Sequence, residues 1–123
     1  MIHDDYLKML RRHLIEQAKT GERLSYQEFS DKYVLGFEMN DIEQRKELGG
    51  LLGQISEYEH SQGRPLLSAM IKHKDDKVPG VGFFSMAERL GRFFPKFMDE
   101  DDFAENEFKY VRKYWKNRDP KEE

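Results

Sequence analysis

Tyr6, Leu7, Leu10, Leu14 and Ala18 recur at the spacing of one helical face, behind Asp4 and Asp5, which suit a helix N-terminus. The pattern predicts a first helix over residues 4–19, closed by Thr20-Gly21. Ser25 and Glu28 then form an S-x-x-E capping box that predicts a short second helix reaching Tyr33. Asn40 and Glu43 repeat the spacing, and Leu48, Leu51, Leu52 and Ile55 follow at i, i+3, i+4 and i+7, which predicts a third helix over residues 41–60. Gly49, Gly50 and Gly53 lie inside it, each costing about 1 kcal/mol against alanine, so a close packing contact or a close backbone approach is expected at that face.

The pattern then changes period. In PLLSAMIKHK, Leu67, Ala69 and Ile71 alternate with Ser68, Met70 and Lys72, as in a strand. Asp75-Asp76-Lys77 reads as the loop of a small hairpin, and Val78-Pro79-Gly80 suits a type II turn. Ser85 and Glu88 cap a further short helix carrying Met86, Leu90, Phe93 and Phe94 and stopped by Pro95. Asp101 and Asp102 open a last helix with Ala104, Phe108, Val111 and Trp115 on its apolar face. The expected fold is α+β and mostly helical: three helices and a small β-hairpin in winged helix-turn-helix order, then two C-terminal helices. A single domain over residues 1–118 would carry a loose tail at 119–123.

Composition narrows the chemistry. No cysteine occurs among the 123 residues, which removes disulfides, thiolate metal sites and cysteine nucleophiles. No apolar run is long enough for a signal segment or a membrane span, so a cytoplasmic protein without membrane contact is expected. The net charge of -3 conceals an even mixture: 6 basic and 8 acidic residues over 1–41, 6 and 6 over 42–84, and 9 and 10 over 85–123. Proteins that bind nucleic acid draw much of their affinity from basic surface, and these counts show no such excess.

Ser25, Tyr26, Glu28 and Phe29 form S-Y-x-E-F, residues 46–53 read KELGGLLG, and residues 64–76 read RPLLSAMIKHKDD. Together they resemble the DNA-binding domain of the alkylguanine-DNA alkyltransferase family and its alkyltransferase-like relatives, over less than half of the chain. The resemblance implies a winged-helix fold and duplex DNA as a partner, and it puts Lys46 where the family has an arginine finger. It places Ser68 at the position of the alkyl-accepting cysteine and Ala69 at that of the histidine, so alkyl transfer is not implied. The block from GRPLLSA to PGVGFF is also similar to segments of uncharacterised bacterial proteins that suggest no activity.

Arg64, Lys72, His73, Lys74 and Lys77 form the basic cluster most able to touch phosphate, with Lys46 as a further candidate contact. Glu57 and His60 make one E-x-x-H pair, a weak metal candidate, because di-metal bundles need two such pairs. His73, Asp75 and Asp76 fall short of a full ligand set, and Gly80-Val81-Gly82 lacks the G-K-[ST] of a phosphate loop. Lys109, Arg112, Lys113 and Lys116 occupy the polar side of the last helix, as helices commonly do. No serine sits in a G-x-S-x-G setting. The expectation is a non-catalytic DNA-binding or regulatory module without a cofactor. The alternative is a small acidic interaction protein, of antitoxin or immunity type, that contacts a protein partner through Asp99 to Asp102 or through the face around Glu57 and Glu59.

Overall fold

The computed structural model describes residues 4–118, so the tail expected at 119–123 lies outside the described residues. The chain is mostly helical: α1 (Asp5–Thr20), β1 (Leu24–Ser25), α2 (Tyr26–Lys32), α3 (Ile42–Ser61), a 3₁₀ turn (Leu67–Met70), β2 (Ile71–Lys72), α4 (Val81–Arg89) and α5 (Glu100–Trp115). Among the described residues no helix is long and apolar enough to cross a membrane.

The first three helices start and stop close to their sequence signals. Asp4 caps α1 by accepting the amides of Tyr6 and Leu7, and Gly21 closes the helix at a φ of 75°. The capping box of α2 forms in both directions, Glu28 N–H donating to Ser25 Oγ at 3.1 Å and Ser25 N–H to Glu28 Oε1 at 2.9 Å. Asp41, rather than Asn40, caps α3. The three glycines of α3 do not face a packing contact, since a Cβ at Gly49, Gly50 or Gly53 would meet nothing within 4 Å.

The hairpin does not form. β1 and β2 pair in parallel, Leu24 beside Ile71 and Ser25 beside Lys72. Residues 67–70 wind into a 3₁₀ turn instead of continuing a strand. The reason is enclosure. Alternation marks a strand only when one face meets water, and here Leu66, Leu67, Ser68, Ala69, Met70 and Ile71 are all buried, with α1, α3 and α5 packed against the turn. The charged stretch after β2 closes on itself through His73 N–H donating to Val78 C=O at 2.8 Å. Gly80 has a φ of -73°, which excludes the positive φ of a type II turn at that position, and it caps α4 instead. α4 accordingly begins four residues before the expected Ser85, and it ends at Arg89, closed by the left-handed Gly91, rather than at Pro95.

Three helix ends share one termination. After α3, Gly63 N–H bonds to His60 C=O and Arg64 N–H to Glu59 C=O; after α4, Gly91 bonds to Glu88 and Arg92 to Ala87. After α2 the same pair of bonds runs from Val34 to Asp31 and from Leu35 to Ser30. This double closure needs a left-handed residue, which is glycine at 63 and 91 but valine at 34, with a φ of 53°. Left-handed geometry costs an L-residue roughly 1–2 kcal/mol, and the Val34 side chain, 87% exposed, recovers almost none of that by burial. Val34→Gly should therefore raise the unfolding free energy by roughly 0.5–1 kcal/mol after the extra chain entropy of glycine is subtracted. A urea titration showing a higher midpoint at unchanged slope checks it; an unchanged or lower midpoint contradicts it.

Candidate functional site

The densest polar constellation is internal. Glu59 has 0% exposure and lies between two arginines. Arg11 donates to it from Nε at 2.9 Å and Nη2 at 3.3 Å, and Arg64 from Nε at 2.9 Å and Nη2 at 3.1 Å. The Tyr58 ring lies against both guanidiniums, at 5.6 Å and 5.3 Å, and the Trp115 ring is 5.2 Å from that of Arg11. A second buried carboxylate, Glu107, accepts the Leu66 amide at 2.8 Å and both of its oxygens take Arg92 Nη2, at 3.0 and 2.7 Å. Arg92 also donates to the carbonyl of Arg64 at 3.3 Å, which joins the two carboxylate groups through one stretch of chain. On the other side, Ser56 and Ser68 hydroxyls lie 2.7 Å apart, and the Ser68 amide donates to Ser56 Oγ at 3.0 Å.

These positions correct two sequence expectations and locate one residue of the resemblance. Arg64 is 5% exposed and committed to Glu59, so it does not belong to a surface that meets phosphate. Glu59 is equally unable to form an acidic face with Glu57. Ser68, the residue at the alkyltransferase cysteine position, lies in the core with its hydroxyl used by Ser56.

The remaining basic candidates divide. Lys46 is exposed on α3 and lines no groove with the others. Lys72, Lys74 and Lys77 do share one open groove beside the loop after β2, but Asp75, Asp76, Asp101, Asp102 and Glu105 line it too, so three lysines meet five carboxylates. His73 is exposed next to it, with Nδ1 3.8 Å from Asp76. The groove is held by two tethers. Arg23 donates to the Lys77 carbonyl at 3.1 Å, bonds Glu105, and stacks over the Phe108 ring at 3.8 Å. Tyr26 Oη accepts the Gly80 amide at 2.9 Å; burial raises the pKa of that phenol, and the Gly80 hydrogen bond pulls the other way. Across β1, the Ser25 amide and hydroxyl hold the Glu28 carboxyl below its ordinary pKa, with a smaller contribution from Lys72.

Of the E-x-x-H pair, Glu57 is taken up structurally, while His60 Nδ1 is buried without a hydrogen-bond partner among the described residues. Glu57 Oε1 accepts Arg89 Nη2 at 2.6 Å, bridging α3 to α4, and among the described residues no group of three or more ligating side chains could hold a metal ion. Pairing of the His13 and Tyr33 rings at 4.0 Å anchors α1 to α2; burial, aided by Glu16 and Glu22, pushes the Tyr33 hydroxyl up to about 12, and burial lowers His13 against the pull of Glu16.

One surface feature was not singled out by the sequence pattern. The loop between α4 and α5 exposes Phe97 (87%), Phe94 (49%) and Met98 (40%), and the exposed acids Asp99, Glu100, Asp101 and Asp102 follow directly. The signal was available as apolar residues placed in a proline-containing stretch after the glycine that ends α4. Comparison with protein-family models, curated proteins and solved structures gives no match for this chain.

The internal network makes a stability prediction. Glu59→Gln removes the buried carboxylate charge that Arg11 and Arg64 share and should cost about 3–5 kcal/mol. Ser56→Ala leaves the Ser68 amide and hydroxyl unpaired in the core, for about 1–3 kcal/mol. Chemical denaturation measures both. A loss below about 1 kcal/mol for Glu59→Gln would show that the network is not under the desolvation constraint its burial implies.

Proposed function

We propose that the chain is a non-catalytic module that binds a protein partner, as a small acidic interaction protein of antitoxin or immunity type. The observation that carries this reading is the composition of the groove, where five carboxylates surround the three lysines that would otherwise touch phosphate. A duplex approaching that groove meets net negative charge, opposite to what phosphate neutralisation requires. The buried carboxylates Glu59 and Glu107 are engaged by arginines and a backbone amide, which suits structural rather than acid–base duty.

A second reading, a winged-helix-type DNA-binding module, is favoured by one feature. α3 presents Lys46 outward together with the exposed Gly49 and Gly50, where open helix backbone would let a ligand approach closely. It is the face to which the alkyltransferase resemblance assigns the duplex contact.

Fluorescence anisotropy with a labelled DNA duplex, between about 50 and 200 mM salt, separates the two. The protein-partner reading expects no binding at the lowest salt and hence no slope. Binding whose log affinity falls by about 0.9 per phosphate contact against log salt, and which Lys46→Ala weakens, would replace it with the nucleic-acid reading.

A further inference from the structure

The backbone that carries the exposed apolar side chains of residues 94–98 is pinned at both ends. Phe93, immediately before them, is buried in an aromatic cluster with Phe84 and Phe103, at ring distances of 5.5 and 5.1 Å. The amides of Phe97 and Met98 both donate to the Phe94 carbonyl at 2.9 Å, folding the segment into a tight turn around Pro95. Immediately after it, Asp99 caps α5 by accepting the Asp102 amide at 3.1 Å. A loop clamped at both ends that still points a phenylalanine into water has its binding shape before any partner arrives, so little ordering entropy is lost on docking. Aromatic and methionine side chains of this kind are enriched at interface cores.

The charge beside the turn selects the occupant. Glu100, Asp101 and Asp102 are exposed and follow the apolar turn directly; Lys96 is the only cation among residues 94–102, and in the groove where Asp101 and Asp102 meet Lys72, Lys74 and Lys77 the carboxylates outnumber the lysines five to three. An anionic lipid surface would be repelled by that row. A protein surface rimmed by Lys or Arg is attracted to it and steered onto the apolar centre. We infer that residues 94–102 form a docking element in which Phe97 enters an apolar pocket of a basic protein partner while the acids engage the basic rim of that pocket. The inference rests on the protein-partner reading and specifies its surface.

Site-specific photo-crosslinking in the cells that naturally produce the chain tests it. The probe is p-benzoyl-phenylalanine, placed at position 97 and, separately, at exposed Val34. The expected result is an adduct from position 97, and not from 34, with a protein whose surface is basic. Adduct yield should fall on the order of tenfold when Glu100, Asp101 and Asp102 are neutralised to Gln, Asn and Asn with Asp99 left in place, or when salt is raised in a fresh extract of wild-type charge. The salt arm keeps the test decisive if the neutralised variant folds poorly. Adducts from position 34 alone would overturn this surface and leave the protein-partner reading standing, whereas no protein adduct from either position would overturn both. A charge-insensitive adduct, an acidic partner, or a covalent dimer of the chain itself would each overturn the basic-partner assignment.

Discussion

A stretch of backbone that runs through the middle of a helical protein has no ladder to bond to, and its amides must be satisfied by whatever surrounds them. Residues 64–70, between α3 and β2, are such a stretch, buried throughout and packed against α1, α3 and α5. The side chains of Glu107 and Ser56 serve its amides, while Arg92 serves the Arg64 carbonyl. The helices are arranged so that these groups reach inward. Much of the polar chemistry in the chain is thereby committed to holding one segment rather than to a surface site.

A carboxylate without water is tolerated only when paired closely and on several sides. Glu59 meets that condition through four donor contacts from α1 and from its own helix end, and two aromatic rings cover the guanidiniums that supply them. A hydrophobic core of similar volume could be as stable. What the ion pairs add is angular definition, because an arginine fork accepts a carboxylate in few orientations, and this fixes how α1 and α3 lie against each other.

How much of this could be read in advance depended on whether a signal was local. Helices α1, α2 and α3 were legible because their caps and periodicities are decided within a few residues, as with Ser25 and Glu28. The segment 67–71 was not, since its alternation was a coincidence of residue types within a fully enclosed run, and enclosure depends on α5, which lies much later in the chain. The buried charges had left a trace. Arg11 sits on the apolar stripe of Leu7, Leu10 and Leu14, Glu59 on that of Leu52 and Ile55, and Glu107 on that of Ala104 and Val111. A charge in register with an apolar face marks an internal ion pair more surely than it marks a ligand site. Read without that rule, Arg64 joined a basic cluster and Glu59 an acidic one. The exposed turn at Phe94 and Phe97 was hidden for the opposite reason, because aromatic residues near a helix end read as core.

The pairing of β1 with β2 sets the order in which the chain can assemble. Helix turns form from neighbours within about a microsecond, whereas a parallel pair must wait for a distant crossover to close. Here the neighbours of the central segment lie at both extremes, α1 toward the beginning and Glu107 41 residues beyond Leu66. During synthesis, then, the chain carries α1 to α4 with one side of its central apolar stretch uncovered until α5 is complete. Loss of the last helix would do more than shorten the protein. It would strand the interior of all that precedes it in an aggregation-prone intermediate.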